Sequence, residues 1–185
     1  MAENSYFEHK GSFPDDHSRE NHALRFMEHY VSRIDSADYK CSYLPYYHPQ
    51  AVFHDTTGVD YVGGPAIWEW ISGLFGPMSK IEMETVETLV ISKPNGTHVL
   101  YMELMSHFWL KSRAGLPPID IPRSMVFTLG PAAGEHGEEA DQEKGIGFEG
   151  LQIVDARLYY DRSLLLPHLV KSKQEVEKFG PSGGR

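Results

Sequence analysis

Cysteine is almost missing from this chain: Cys41 stands alone in 185 residues. A single thiol closes no intrachain disulfide and assembles no cysteine-based zinc site. A reducing, cytoplasmic home is the expectation that follows. Long apolar runs are lacking too, since nothing approaches the roughly twenty consecutive apolar residues that a membrane-spanning helix needs. Residues 1–18 are polar and acidic with no apolar centre, so neither a signal peptide nor an anchor is expected there. Positive charge is in deficit. Lys and Arg number 17 against 26 Asp and Glu, a net charge of -9. With no basic stripe either, partnership with nucleic acid or an anionic membrane is excluded. There is no Gly-rich phosphate loop, no Gly-x-Ser-x-Gly elbow and no persuasive cysteine nucleophile. Ten histidines are present, but none shows paired ligand spacing; His22 and His29 share a helix face with no third ligand signposted. No metal and no cofactor are expected.

What is present reads as one domain with tails. Residues 1–18 read as a disordered arm, with Ser18 capping a helix over 19–34. Leu24, Met27, Val31 and Ile34, with Phe26 and Tyr30 alongside, form its apolar stripe. Asp35-Ser36-Ala37-Asp38 breaks that helix and caps a second over 39–47, stopped before His48-Pro49. A buried strand over 51–56 follows, then a turn through Gly58. Gly63-Gly64-Pro65 opens a third helix carrying Ile67, Trp68, Ile71, Leu74 and Phe75 to a stop at Gly76-Pro77.

A long hairpin comes next, 80–93 and 97–111, joined at Pro94-Asn95-Gly96. Read as a two-residue Asn-Gly turn, it pairs Glu84 with His107, Glu82 with Trp109 and Val90 with Tyr101 on one face. The other face holds Ile81, Met83, Thr85, Glu87, Leu89 and Ile91. A bulge exchanges the faces beyond it. Two more strands, 121–129 and 147–160, flank an acidic, glycine-rich insert over 130–146 read as mobile. Residues 161–179 read as a terminal helix interrupted near Pro167, leading into a Gly-Pro-Ser-Gly-Gly tail; the domain proper is assigned to 19–165 and this appendage to 166–185.

Three N-terminal helices packed on a strongly curved antiparallel sheet make an α+β class, a conical α+β barrel. This order resembles the nuclear transport factor 2-like superfamily over residues 19–165, including SnoaL-like polyketide cyclases, ketosteroid isomerases and scytalone dehydratase. His29-Tyr30-Val31, Ile34-Asp35-Ser36-Ala37-Asp38 and Ala51-Val52-Phe53-His54-Asp55 look like the isomerases' helix tyrosine and strand-end aspartate. The resemblance implies that Tyr30 and Asp55 take those two catalytic roles, with Met125 near the position of the isomerases' oxyanion-binding aspartate. By likeness to scytalone dehydratase, Asp35, Thr85, Arg123 and Asp155 fall near pocket-facing positions, and His107 corresponds to a catalytic histidine if its strand bulges.

Each candidate also has a plainer role. Asp55 is equally suited to an Asx-type turn toward Gly58. Tyr30 suits a core position whose phenol needs a partner. His54 adjoins Asp55 and points the opposite way in a regular strand. His107 suits a cross-strand partnership with Glu84, worth under about 1 kcal/mol if exposed. Arg123 either binds an anionic substrate group or pairs with Asp155, because a buried guanidinium without an acid is costly. Trp68 is first a core or interface residue and then a ligand platform.

The sequence therefore points to a cofactor-independent isomerase, cyclase or dehydratase. It would act by acid/base proton transfer on a small apolar carbonyl, polyketide-like or terpenoid-like substrate of secondary metabolism. Catalysis falls to Asp55, Tyr30, His107 and Asp155, and substrate binding to Arg123, His54, Thr85, Trp68 and Met125. The alternative is a non-catalytic small-molecule-binding or dimerisation module of the same fold. A homodimer packed sheet to sheet is the expected assembly.

Overall fold

The helix expected from Arg19 begins at His22 and runs to Asp35 (α1), because Asn21 rather than Ser18 caps it: its side-chain oxygen accepts from the backbone N–H groups of Ala23 and Leu24 at 3.0 and 3.2 Å. Ser18 lies in a separate turn of 3-10 helix and exchanges hydrogen bonds with Asp15. This computed structural model describes residues 3–37, 39–136 and 145–169. Within them the elements are β1 (Ser5–Lys10), α1, β2 (Tyr47–His54), β3 (Asp60–Val62), α2 (Gly64–Phe75), β4 (Met78–Ser92), β5 (His98–Leu110), β6 (Ile119–Pro131) and β7 (Leu151–Tyr160), with short 3-10 turns between some of them. The strands form one sheet in the order β1-β4-β5-β6-β7-β2-β3. It is curved and not closed, and the β2–β7 pairing is parallel, so the expected antiparallel barrel becomes an open mixed sheet whose concave side carries the two α-helices.

Three expectations change. The arm is not free: β1 pairs along the edge of β4, from Ser5 opposite Ser92 to Lys10 opposite Glu87, and His9 is buried with its Nε2 3.1 Å from Asp15. An unpaired edge of β4 is a template for another strand. The helix expected over 39–47 is missing from its described residues, because tertiary partners take its backbone groups. Trp68 Nε1 donates to the carbonyls of Tyr39 and Cys41, Gln152 Nε2 and Gly147 N donate to that of Leu44, and Ile153 N donates to that of Tyr46. The expected insert narrows as well: Ala132 and Ile146 are buried, Tyr43 donates to Glu135, and only 137–144 fall outside the described residues. At the other end Leu165 is buried and a helical turn begins at 166–169; the rest of the expected terminal helix and tail lies outside the described residues.

Register carries the largest consequence. Lys93 N donates to Thr97 O across Pro94, Asn95 and a Gly96 at φ +79, so the hairpin closes by a longer loop with a left-handed glycine than the two-residue turn expected from Asn-Gly. Beyond it a bulge between Thr85 and Glu87 shifts the pairing again. Val90 and Thr88 consequently face inward on one side of the bulge, and Thr85, Met83 and Ile81 on the other. A second bulge in β7, at Val154, lets Ile153 face inward as Ala156 does, so that Asp155 no longer shares the face of Ile153.

Candidate active site

Between the concave sheet face and the two helices lies an unfilled cone. Met27, Tyr30 and Val31 of α1 form one wall, and Trp70, Ile71, Leu74 and Phe75 of α2 another. The sheet supplies Phe53, Met83, Met102, Leu104, Met125 and Phe127, with Leu158 and Arg123. It is narrow: about 30 Å³ is open to the centre of a water molecule. Four of the lining residues, Met27, Met83, Met102 and Met125, are thioethers that change rotamer readily.

Two ionisable side chains face this apolar space. Tyr30 is buried on α1, its hydroxyl 2.7 Å from that of Tyr47, and its ring meets Phe127 edge to face at 5.9 Å. Burial pushes the Tyr30 phenol up to about 12, so it stays protonated and available as a donor. Arg123 follows the inward alternation of β6, with Ile121 and Met125 on either side. Its guanidinium lies over the rings of Tyr160 and Phe108, at 5.1 and 5.6 Å from their centroids. Its buried Nε has no hydrogen-bond partner among the described residues. Burial lowers its pKa to about 10, offset in part by Tyr160, Tyr30 and Asp55, and it remains a cation at neutral pH.

The other expected site residues lie elsewhere. Asp55 follows β2 at the rim, partly exposed, accepting from Thr57 Oγ1 at 2.9 Å and closing the turn through Gly58 N to its carbonyl. Asp155 points to the outer face, where its carboxylate accepts from His54 Nε2 at 3.0 Å and forms an ion pair with Arg157, whose Nε lies 3.3 Å away. The expected Arg123–Asp155 pair does not form: Arg123 stands opposite Tyr160 on the concave side, and Asp155, opposite Thr128 in the same unbroken register, alternates to the outer face. His54 also reaches Asp60 at 2.7 Å. His107 is outside the cone as well, 2.8 Å from Asp120 and 3.6 Å from Glu84. Thr85 is buried on the concave side opposite Leu104 but does not line the open space. Trp68 is core: it stacks on Tyr46 at 5.4 Å with its N–H spent on backbone carbonyls. The tryptophan of the cone is Trp70, held between Phe53 and Tyr61 at 4.7 Å from each ring. Met125 lines the cone where it was expected.

Two further participants stand outside the catalytic and binding sets expected from sequence. The sequence pattern puts Tyr47 at the end of a helix, whereas its pairing with Tyr30 depends on β2 starting there. Asp35, noted only by family likeness, borders a neighbouring groove lined by Phe13, Val31 and Met83. Val31 and Met83 also line the cone, so one layer of side chain separates the carboxyl from it. Burial raises Asp35 to about 6, against a hydrogen bond from the Met83 backbone.

An open curved sheet wrapped on two helices has counterparts among solved structures. Aln2 from a Streptomyces species aligns with a TM-score of 0.58 at 13% identity, covering 86% of this chain and 99% of that one. ActVI-ORFA from Streptomyces coelicolor aligns at 0.55 and 12% identity, over 76% and 96%. Nuclear transport factor 2 from Cryptosporidium parvum aligns at 0.52 and 15%, over 74% and 90%. The fold is nuclear transport factor 2-like. No protein-family model and no curated relative matches the chain, so the likeness is one of nuclear transport factor 2-like architecture. Among the described residues no group of three or more His, Cys, Asp or Glu is placed to hold a metal ion, and no helix is long and apolar enough to cross a membrane.

Proposed function

We infer that this protein is a cofactor-independent isomerase, cyclase or dehydratase that moves a proton on a small, mainly apolar, carbonyl-bearing molecule of polyketide-like or terpenoid-like character. The observation that carries the reading is the pairing of one protonated phenol and one guanidinium inside an otherwise apolar cone. Donors in a water-poor site stabilise a developing enolate far better than the same donors in water. When Tyr47 donates to Tyr30, the O–H of Tyr30 is left for a substrate oxygen, and Arg123 supplies the positive charge. Asp55 is the assigned base, at the rim where its charge reaches both Arg123 and Tyr61. Asp35, whose pKa burial lifts to about 6, is the second carboxyl suited to the task. His107 and Asp155 are not given roles at the reacting atoms, since their partners lie on the outer face.

The test is solvent proton exchange. A panel of small apolar ketones in deuterated buffer is followed by NMR, with Asp55→Asn, Asp35→Asn and Tyr30→Phe as controls. Exchange above the buffer rate that disappears in one of the carboxyl variants supports the reading and identifies the base. A second reading, a non-catalytic binding module, is favoured by the narrowness of the cone, and exchange at the buffer rate throughout the panel decides for it. In either case the proposed assembly is a homodimer packed on the convex sheet face, where Tyr101 and Tyr159 are about half exposed.

A further inference from the structure

A guanidinium has five N–H donors and a charge that no rotation removes. In most interiors a carboxylate answers it. Around Arg123 the described residues offer two aromatic rings and no acid within ion-pair distance, and the Nε is left without an acceptor. Asp155, the sequence's own candidate partner, is turned to the other side of the sheet and occupied by His54 and Arg157. The rings of Tyr160 and Phe108 cover the cation yet accept no hydrogen bond in its plane, so the Nε–H remains unanswered in a side chain that lines the cone.

We propose that the cone is an acid-binding site, in which Arg123 receives the carboxylate of a mainly apolar carboxylic acid whose hydrocarbon part lies among the methionines. This rests on the reading of the cone as a ligand site and narrows its ligand to one class. A neutral carbonyl supplies acceptors but leaves the buried charge with no anion in contact, only the more distant Asp55 at the rim. A phosphate brings a second negative charge into a space with a single cation. A carboxylate matches both the charge and the two-pronged geometry of the guanidinium. Tyr30, on the facing helix, is placed to donate to the same acid or to an oxygen further along it. The narrow interior means that the chain of the ligand enters by displacing thioether side chains, for which Met27, Met83, Met102 and Met125 are suited.

The experiment is calorimetric titration with straight-chain acids from butanoate to decanoate, and with their primary amides, into the unaltered protein, Arg123→Met and Arg123→Lys. In the unaltered protein the best acid binds at least about tenfold more tightly than its amide, the scale of a charge-assisted, bidentate contact. Arg123→Met erases that preference, bringing acid and amide within about threefold of each other, whereas Arg123→Lys retains part of it. Equal affinity of acid and amide in the unaltered protein overturns the acid class while leaving the cone as a ligand site. An acid preference that survives in Arg123→Met overturns it too, by placing the carboxylate elsewhere. Failure of every acid and amide to bind removes the cone as a ligand site, and this inference with it. The acid–amide comparison needs no variant, so it decides even where Arg123→Met does not fold.

Discussion

Arg123 and Asp35 are the residues whose present state works against stability, and each gives a prediction with a definite sign. An unpaired buried charge is a net cost, and replacing it with a hydrocarbon side chain of similar length is often neutral or stabilising. Arg123→Met is therefore expected to leave the melting temperature of the unliganded protein unchanged or higher, which a thermal scan measures. Asp35 has a folded-state pKa of about 6 against an ordinary 3.8. Because the folded form binds its proton more tightly, stability falls as pH rises from about 4 to about 6 and stays lower above that. Asp35→Asn should accordingly raise unfolding free energy at pH 7 by an amount of order 1–3 kcal/mol, and the gain should vanish near pH 3.5. Urea titrations at the two pH values read the difference. For catalysis, Asp55→Asn is expected to lower turnover by about a hundredfold or more and Tyr30→Phe by about tenfold to a hundredfold, since the first removes a proton acceptor and the second a single donor.

At the scale of elements, β2, β3 and β7 are joined on the outer face by His54, whose two ring nitrogens face the carboxylates of Asp155 and Asp60. Burial pulls the imidazolium down, and the hydrogen bonds to Asp60 and Asp155 together outweigh it, so the His54 pKa is raised. A raised histidine contributes stability that is complete below its unfolded value and is lost as pH climbs through the folded one. His54→Gln should therefore lower the melting temperature more at pH 5.5 than at pH 8.5. The β6–β7 connection behaves differently along its length. A Cβ on Gly147, which sits at φ +68, would collide with the Ala132 side chain and stand 3.0 Å from the Leu151 carbonyl. Gly147→Ala is expected to cost about 2 kcal/mol or more. Removing 137–144 while keeping Glu135 and Ile146 should cost little, because that stretch is polar and loop length weighs only logarithmically. Denaturant midpoints of the two variants make the comparison.

For the molecule as a whole, curvature determines what each sheet face does. The concave side closes on α1 and α2 around the cone, while the convex side leaves Tyr101 at 49% and Tyr159 at 53% exposure. Exposed aromatics on a broad sheet face suit a two-fold contact in which the same patch meets itself. A dimer mass in solution at micromolar concentration is the expected result, shifted toward monomer by Tyr101→Glu with Tyr159→Glu.

Local rules within the sequence determined much of this protein. Helical spacing from Leu24 to Ile34, the Gly-Pro opening of α2, the Gly76-Pro77 stop and the hairpin about Asn95-Gly96 are short-range signals, and each element formed close to where they place it. The order of elements was enough to identify the architecture. Tertiary structure decided which side chains look inward. A single extra residue at the β4 bulge reverses the inward set beyond it, and another in β7 puts Asp155 on the face opposite to Ile153; neither bulge has a local sequence mark, because it is the mismatch between partner strands that creates it. The same holds for residues 39–47, where backbone groups that a helix would have satisfied internally are taken by Trp68, Gln152, Gly147 and Ile153 from distant parts of the chain. Arg123 was legible as a charge entering an apolar strand. That it would stand in the cone without an acid was fixed only when the sheet folded, since a partner's absence is a property of three-dimensional neighbours.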